Sequence, residues 1–283
     1  MAERIIESFQ VKRIEILDEK GNVDESLMPS LSDADIQRIY ELLILSRTFD
    51  QRALQLQREG RLGTYAPILG QEACQAGSAF ALEKSDWIFP SYRESGVYIT
   101  VGYPLHMLFQ YWEGDERGLK TPDTLNILPI SIPVGTQVLH AVGAAMAAKY
   151  RKDKAVAVTY FGDGGTSTGD FHEGLNMAGV FKLPVIFICQ NNQWAISMPR
   201  EKQTASKTIA QKAFSYGFEG LQVDGNDIFA VYKATEYALH KARQGNGPTL
   251  IECITYRIYD HTTADDASRY RPKQEVDAWK ARD

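Results

Sequence analysis

Cysteine is scarce in this chain, with only Cys74, Cys189 and Cys253 among 283 residues. The three are scattered, odd in number and nowhere spaced as Cys-x-x-Cys, which excludes a disulfide framework and a cysteine zinc site. An excess of positive charge is also missing. Thirty-one Lys and Arg stand against 36 Asp and Glu, a formal net charge of −5, so the broad attraction behind nonspecific nucleic-acid binding is absent. The longest apolar run, Val138 to Ala148, is broken by His140 and falls short of the roughly 20 residues a membrane span needs. Met-Ala-Glu-Arg at the N-terminus leads into no apolar segment of secretory type. These absences read as a reducing, cytoplasmic protein with neither nucleic acid nor membrane among its partners.

What is present is a foldable chain. Hydrophobic residues make up 44% and charged residues 24%, enough to bury a sizeable core and unlike a disordered or fibrous composition. No internal repeat, low-complexity tract or Gly/Ser linker divides it. The sequence reads as an N-terminal arm and helix over residues 1–60, followed by one α/β domain over 61–283. In the arm, β-type runs such as Val11 to Leu17 and the turn Glu19-Lys20-Gly21-Asn22 suggest an extended segment lying on something else. Ser32-Asp33-Ala34-Asp35 is a capping signal, and Ile36, Ile39, Tyr40 and Leu43 follow at helical spacing, so a helix is expected from there to Gly60. Thr136 to Tyr150 reads as a helix so rich in Ala and Gly that other backbone must approach it closely.

The second half predicts a mainly parallel sheet flanked by helices. Ala155 to Tyr160 and Pro184 to Cys189 are apolar runs of strand length, with a Gly-rich turn and a helical stretch, Phe171 to Phe181, between them. That order is a βαβ unit, and strands apolar on both faces belong to a sheet covered on both sides. Leu221 to Val223 is a third short strand, Asp227 to Gln244 a helix and Thr249 to Ile258 a fourth strand. Met146, Met177, Phe161, Phe171 and Phe181 read as core.

Ligands of open α/β sheets bind outside the carboxyl ends of the strands. Two loops leave such ends: Gly162-Asp163-Gly164-Gly165-Thr166 and Asn191-Asn192-Gln193-Trp194. Parallel neighbours joined by one crossover would set Asp163 and Asn192, 29 positions apart, across a gap of ion size. An Asp carboxylate, an Asn amide oxygen and a backbone carbonyl are hard donors of the kind Mg²⁺ or Ca²⁺ accepts, with phosphates and water completing the shell. Gly164 and Gly165 would let backbone N–H groups approach phosphate oxygens ahead of the following helix.

Gly-Asp-Gly, about thirty residues and then Asn-Asn resembles the thiamin diphosphate binding motif. The likeness extends to Gly-Gln-Glu-Ala at 70–73, Ser-Tyr-Arg-Glu at 91–94, Gly135-Thr136-Gln137, Gln222 to Asp227, Tyr256-Arg257, His261 to Asp266 and Arg269-Tyr270-Arg271. From about residue 30 onward the chain resembles the α subunits of 2-oxo acid dehydrogenase E1 components, most in appearance those of the bacterial heterotetrameric pyruvate type. The resemblance implies Mg²⁺ held by Asp163, the Asn192 side chain and the Trp194 carbonyl. It implies diphosphate contacts from Gly162, Gly164 and Gly165 and from the pair Tyr92 and Arg93, a backbone group at Val134 against the aminopyrimidine, and His261 as the loop histidine that both binds cofactor, near the diphosphate and thiazolium, and acts catalytically, assisting substrate binding and reductive acylation. Ser131, Thr136 and Gln137 match a K⁺-binding loop of branched-chain relatives.

Departures from the family pattern occur too. Tyr65-Ala66-Pro67-Ile68-Leu69 stands where many relatives carry a histidine, which removes an expected substrate contact. Gln190 stands where some branched-chain members have Arg. Thr262 follows the histidine where regulated relatives carry a phosphorylatable serine, and E1 α subunits continue through a further helical segment past the position of Asp283. One α/β module is legible, whereas the resemblance implies a catalytic Glu on a second. A β subunit would supply it in an α2β2 heterotetramer, acting on a small 2-oxo acid and passing the acyl group to the lipoyl domain of E2. The other four histidines, 106, 140, 172 and 240, read as structural or solvated. Branched-chain 2-oxo acids are the alternative substrates, and a noncatalytic scaffold subunit is the alternative of another class. A phosphoryl-transfer enzyme is disfavoured, because no G-x-x-x-x-G-K-[ST] and no Lys occurs in the turn.

Overall fold

The strands are β1 (Lys12–Ile14), β2 (Trp87–Phe89), β3 (Ala157–Gly162), β4 (Val185–Asn191), the short pair β5 (Trp194–Ala195) and β6 (Met198–Pro199), β7 (Glu219–Asp224) and β8 (Thr249–Ile254) in a computed structural model that describes residues 3–283. Residues 1 and 2 of the expected arm lie outside the described range. The helices are α1 (Asp33–Arg58), α2 (Glu72–Phe80), α3 (Ser95–Thr100), α4 (Leu105–Glu113), α5 (Thr136–Arg151), α6 (Gly169–Val180), α7 (Arg200–Gln203), α8 (Ile228–Arg243) and α9 (Lys273–Lys280). Six strands pair in the order β1-β7-β8-β4-β3-β2, every pair parallel. The fold is therefore α/β, as the apolar runs and the crossover order required.

Alternation along β3 and β4 divides the interior in two. Val158, Tyr160, Ile186 and Ile188 join a core with Leu42 and Phe49 of α1, Cys74 of α2 and Val231 of α8. Ala157, Phe161, Val185, Phe187 and Cys189 join the opposite core, with Val138 and Ala141 of α5 and Phe171 and Leu175 of α6. Successive strand side chains point to opposite faces, so a strand buried on both reads as one continuous apolar run.

The structure shifts several sequence boundaries. β3 and β4 each extend past the expected end, carrying Gly162 and Asn191 into the sheet. β8 stops at Ile254 rather than Ile258, because beyond it the chain leaves the sheet and runs beside the loop after β4. There Thr255 N donates to Asn191 O at 3.0 Å and Arg257 N to Asn192 O at 3.2 Å. Among the described residues of the arm, only Lys12–Ile14 forms a strand, pairing with β7. Asp227 ties the arm down: its Oδ2 accepts from Ile16 N at 2.5 Å and Leu17 N at 2.8 Å while its Oδ1 caps α8.

The capping box at Ser32 is present, with Asp35 N donating to Ser32 Oγ and Ser32 N to Asp35 Oδ2. The buried stripe of α1 is Ile39, Leu42, Ser46, Phe49, Asp50, Ala53 and Leu56, so Tyr40 faces outward and is exposed, against the expected register. Met177 and Phe181 are also exposed, since α6 buries Phe171, Gly174, Leu175 and Ala178 instead. Among the described residues no helix is long and apolar enough to cross a membrane, and all three cysteines are free and buried.

Close backbone contact sets one quantitative expectation. A Cβ added at Gly220 in β7 would run into the Ala210 carbonyl. Gly220→Ala is expected to cost about 1–3 kcal/mol, the usual range for overpacking, measured as a lower urea midpoint with an unchanged slope.

Candidate active site

The register pairs Gly162 of β3 with Gln190 of β4, so the two loops leave neighbouring strand ends side by side. Asp163 opens a 3₁₀ turn, Asp163–Ser167, and Thr168 caps α6 behind it, its Oγ1 accepting from Phe171 N at 3.3 Å. Glycine is needed in the turn for packing: a Cβ on Gly164 would come within 2.7 Å of the Ala195 Cβ. The turn can thus press against the loop after β4. That loop is strained, with Gln193 at φ 71° and the β-branched Ile196 at φ 53°, a conformation that costs on the order of 1–3 kcal/mol per residue and persists only where its surroundings hold it. Arg257 holds it here, donating from Nη2 to Ile196 O at 2.9 Å and from Nη1 to Trp194 O at 3.3 Å.

A half-open cavity of about 210 Å³ lies above these ends. Tyr92, Arg93, Val134, Gly162, Asp163, Gly164, Gly165, Asn192, Trp194 and His261 all line it, and so does Gln137, whereas Ser131 and Thr136 of the expected K⁺ loop do not. His106, His140, His172 and His240 are exposed and do not line it.

Asp163 is buried, and burial pushes its carboxyl up to about 6 against the opposing pull of Gln203, whose Nε2 donates to Oδ2 at 2.6 Å. Glu94, also in the cavity wall, is pushed up to about 7 by burial. It accepts from Gln190 Nε2 at 2.6 Å, and Gln190 in turn accepts from Gln75 Nε2 at 2.8 Å. Gln190 is therefore a buried bridge between Glu94 and Gln75 of α2.

His261 sits against two guanidinium groups. Arg93 Nη2 lies 3.1 Å and Arg257 Nη1 3.4 Å from its Nδ1. A guanidinium can only donate, so Nδ1 accepts and the ring proton is on Nε2. Burial and these cations hold the imidazole down at about 3, so it is neutral at physiological pH. Arg93 is itself anchored, Nη1 donating to Pro67 O and Nη2 to His261 O, each at 2.7 Å. A diphosphate would take Nε and the remaining Nη1 hydrogen rather than the whole fork. The 65–69 segment, outside the cavity wall, serves as this anchor: Asp50 accepts from Tyr65 Oη at 2.7 Å and from Ile68 N at 2.8 Å.

Ser131 Oγ and Thr136 Oγ1 are 3.2 Å apart, and Thr136 Oγ1 donates to Pro133 O at 3.0 Å. The adjoining Gln137 donates from Nε2 to Tyr160 O at 2.8 Å while its Oε1 is buried without a partner.

Gln71, Glu94 and Arg257 have no role legible in local spacing, although all three fall in segments that carry the resemblance: the Asn192, Gln190, Trp194 and Ile196 groups they meet lie 121, 96, 63 and 61 positions away. As a test of fit, Asp163, Asn192 and Trp194 O form an all-oxygen donor set suited to a hard divalent cation. Among the described residues no group of three or more His, Cys, Asp or Glu side chains forms a rival metal site. Gln71 Nε2 and Gln137 Oε1, in the same wall, are buried and unpartnered, which suits a polar guest.

Residues 40–283 match the family profile described as Dehydrogenase E1 component. The chain is 49% identical over 253 residues to the 3-methyl-2-oxobutanoate dehydrogenase subunit alpha of Mycobacterium tuberculosis, spanning 89% of this chain and 69% of that one. It is 48% identical over 276 residues to the pyruvate dehydrogenase E1 component subunit alpha of Bacillus cereus, covering 97% and 74%. To the protein of that name in Staphylococcus aureus it is 49% identical over 272 residues, covering 95% and 74%.

Proposed function

This chain belongs to the dehydrogenase E1 component family, and from that premise we propose that it is the α subunit of a thiamin diphosphate-dependent pyruvate dehydrogenase, completed by a β subunit. The observation that carries the reading is the meeting of Asp163, Asn192, Trp194, the glycine turn, Arg93 and His261 in one cavity at the carboxyl ends of β3 and β4.

When bound, thiamin diphosphate supplies an electron sink for the bond that breaks as a 2-oxo acid loses CO₂. The chain's own residues hold and orient it. In this reading Asp163, Asn192 and the Trp194 carbonyl take Mg²⁺, while backbone N–H groups at Gly164 and Gly165, with Arg93 beside Tyr92, meet the diphosphate charge. Gly162 ends the strand that presents them. Val134, half exposed on the rim, offers its backbone to the aminopyrimidine. His261, neutral with a proton on Nε2, donates to a substrate or acyl oxygen, and Arg93 and Arg257 fix that tautomer. The oxygens of Ser131, Thr136 and Gln137 are a fitting place for K⁺.

The cavity is open on one side, and the base that must drive ionisation of the cofactor is assigned to the β subunit facing it. Product acyl groups pass to the lipoyl domain of E2. A branched-chain 2-oxo acid is the second reading for the substrate, since the Mycobacterium tuberculosis relative is named for 3-methyl-2-oxobutanoate at the same level of identity. Cytoplasmic location stays part of the proposal. The chain mixed with a candidate β subunit, thiamin diphosphate and Mg²⁺ is expected to decarboxylate pyruvate faster than 3-methyl-2-oxobutanoate, followed by reduction of an artificial electron acceptor. The reverse order would reassign the substrate. Failure of an assembled, cofactor-loaded mixture with both would overturn the activity.

A further inference from the structure

Gln71 precedes α2 and has no exposed surface. Its backbone is fixed from both sides, with Gln71 N donating to Ile68 O at 2.8 Å and Cys74 Sγ to Gln71 O at 3.0 Å. Its side chain reaches a residue 121 positions away: Asn192 Nδ2 donates to Gln71 Oε1 at 2.9 Å. An amide oxygen can only accept, so Oε1 decides which end of the Asn192 amide faces it. The NH₂ end is held toward Gln71. Asn192 Oδ1 is thereby turned the other way, where it accepts from Trp194 N at 3.3 Å.

The second end of Gln71 is different. Its Nε2 is buried, has no hydrogen-bond partner, and belongs to a side chain lining the cavity shared with Arg93, Asp163 and Asn192. A buried donor left unpaired is rare in native proteins and needs a reason. Here the side chain's other polar atom is engaged, since Oε1 accepts from Asn192 Nδ2, so the amide is held in place.

We propose that Gln71 is a two-ended recognition residue of this cavity: Oε1 orients the Asn192 oxygen toward a divalent cation, and Nε2 donates to a diphosphate oxygen beside that cation. The inference rests on the cavity being the cation and diphosphate site. It adds a residue that reads both groups at once, a task needing one acceptor and one donor on a single side chain. Glutamine meets that requirement, and neither an ionised glutamate nor methionine does.

Calorimetric titration of the full chain assembled with a β subunit tests this, using inorganic pyrophosphate with Mg²⁺ and then thiamin diphosphate with Mg²⁺. Gln71→Met removes both ends. It is expected to raise the Mg²⁺ concentration for half-saturation and weaken binding by about 10–100-fold, the range typical when a residue that orients a metal ligand is lost. The cofactor-free melting temperature should change little, because the unpaired Gln71 Nε2 that is removed offsets the Asn192 Nδ2 left without its acceptor. A merely structural role gives the opposite pair, a lower melting temperature with unchanged affinity.

Gln71→Glu keeps the length and an oxygen for Asn192 Nδ2 while replacing the donor by an acceptor. It is expected to lose pyrophosphate affinity yet keep the Mg²⁺ half-saturation near wild type. Gln71→Glu binding pyrophosphate as tightly as wild type would refute the donor role, and an unchanged Mg²⁺ requirement in Gln71→Met would refute the orienting role. A wild-type assembly that binds neither ligand would overturn the reading of the site and this inference with it, whereas wild-type binding matched by both variants would overturn Gln71 alone.

Discussion

Asp163→Asn is expected to make the cofactor-free protein more stable at neutral pH and to remove its response to thiamin diphosphate and Mg²⁺. The carboxyl is held at about 6 against an ordinary 3.8, chiefly by burial. A raised folded-state value means that the native protein binds this proton more tightly than the unfolded chain. Stability therefore falls as pH rises from about 3.8 to about 6, and above that window the full cost persists. The difference corresponds to roughly 3 kcal/mol at neutral pH, which the neutral amide relieves while keeping an oxygen for Gln203 Nε2. Thermal melts should show the variant above wild type at pH 7 and close to it at pH 4. Ligand should raise the melting temperature of the wild-type assembly, as any ligand of the native state does, and leave the variant unmoved. Turnover should drop more than about 100-fold, beyond the usual effect of losing a mere supporting residue. A variant less stable than wild type at pH 7, or one still stabilised by the ligand pair, would contradict this account of Asp163.

His261→Ala is expected to slow acyl transfer to the lipoyl group by about 100-fold or more, within the range for a positioned proton donor, with thiamin diphosphate affinity little changed. The imidazole presents an Nε2 proton because two guanidinium groups occupy the Nδ1 side. It does not titrate near its ordinary value, so the loss should be equal at pH 6 and pH 8. Single-turnover acylation across that range checks it, and a loss confined to one end would show that the ring titrates there. The same shift has a stability sign. Lowered from 6.5 to about 3, the group makes the unfolded chain take up a proton first as pH falls. The cofactor-free wild type should therefore lose stability relative to the variant between about pH 6.5 and pH 3.

The parts of this molecule that were legible in its sequence are those whose determinants are local or periodic. β3 and β4 declare themselves because both faces are buried, and the capping box at Ser32 because its partners are three residues apart. Asp163 and Asn192 are legible because one crossover separates neighbouring strand ends. β2 is not: three residues at the sheet edge, with Trp87 exposed, make no periodic signal. Tyr40 is misplaced by the sequence pattern because the buried stripe of α1 runs through Ile39 and Leu42, and Tyr40 is an apolar neighbour one position from it. The pairing of Arg93 with His261 spans 168 positions, and no local rule reaches it. Arg257 was hidden for another reason. In an apolar run that reads as strand, a buried guanidinium has no meaning until its acceptors, the carbonyls of Trp194 and Ile196, are in view.

The claim that this cavity is half of a shared cofactor site is tested most directly by equilibrium titration of thiamin diphosphate with Mg²⁺ against the chain alone, a β subunit alone and their mixture. A tight site appearing only in the mixture, one per α chain and absent when that chain carries Asp163→Asn, is the predicted result. Equal binding by the mixture containing Asp163→Asn, or full affinity in the isolated β subunit, would contradict it.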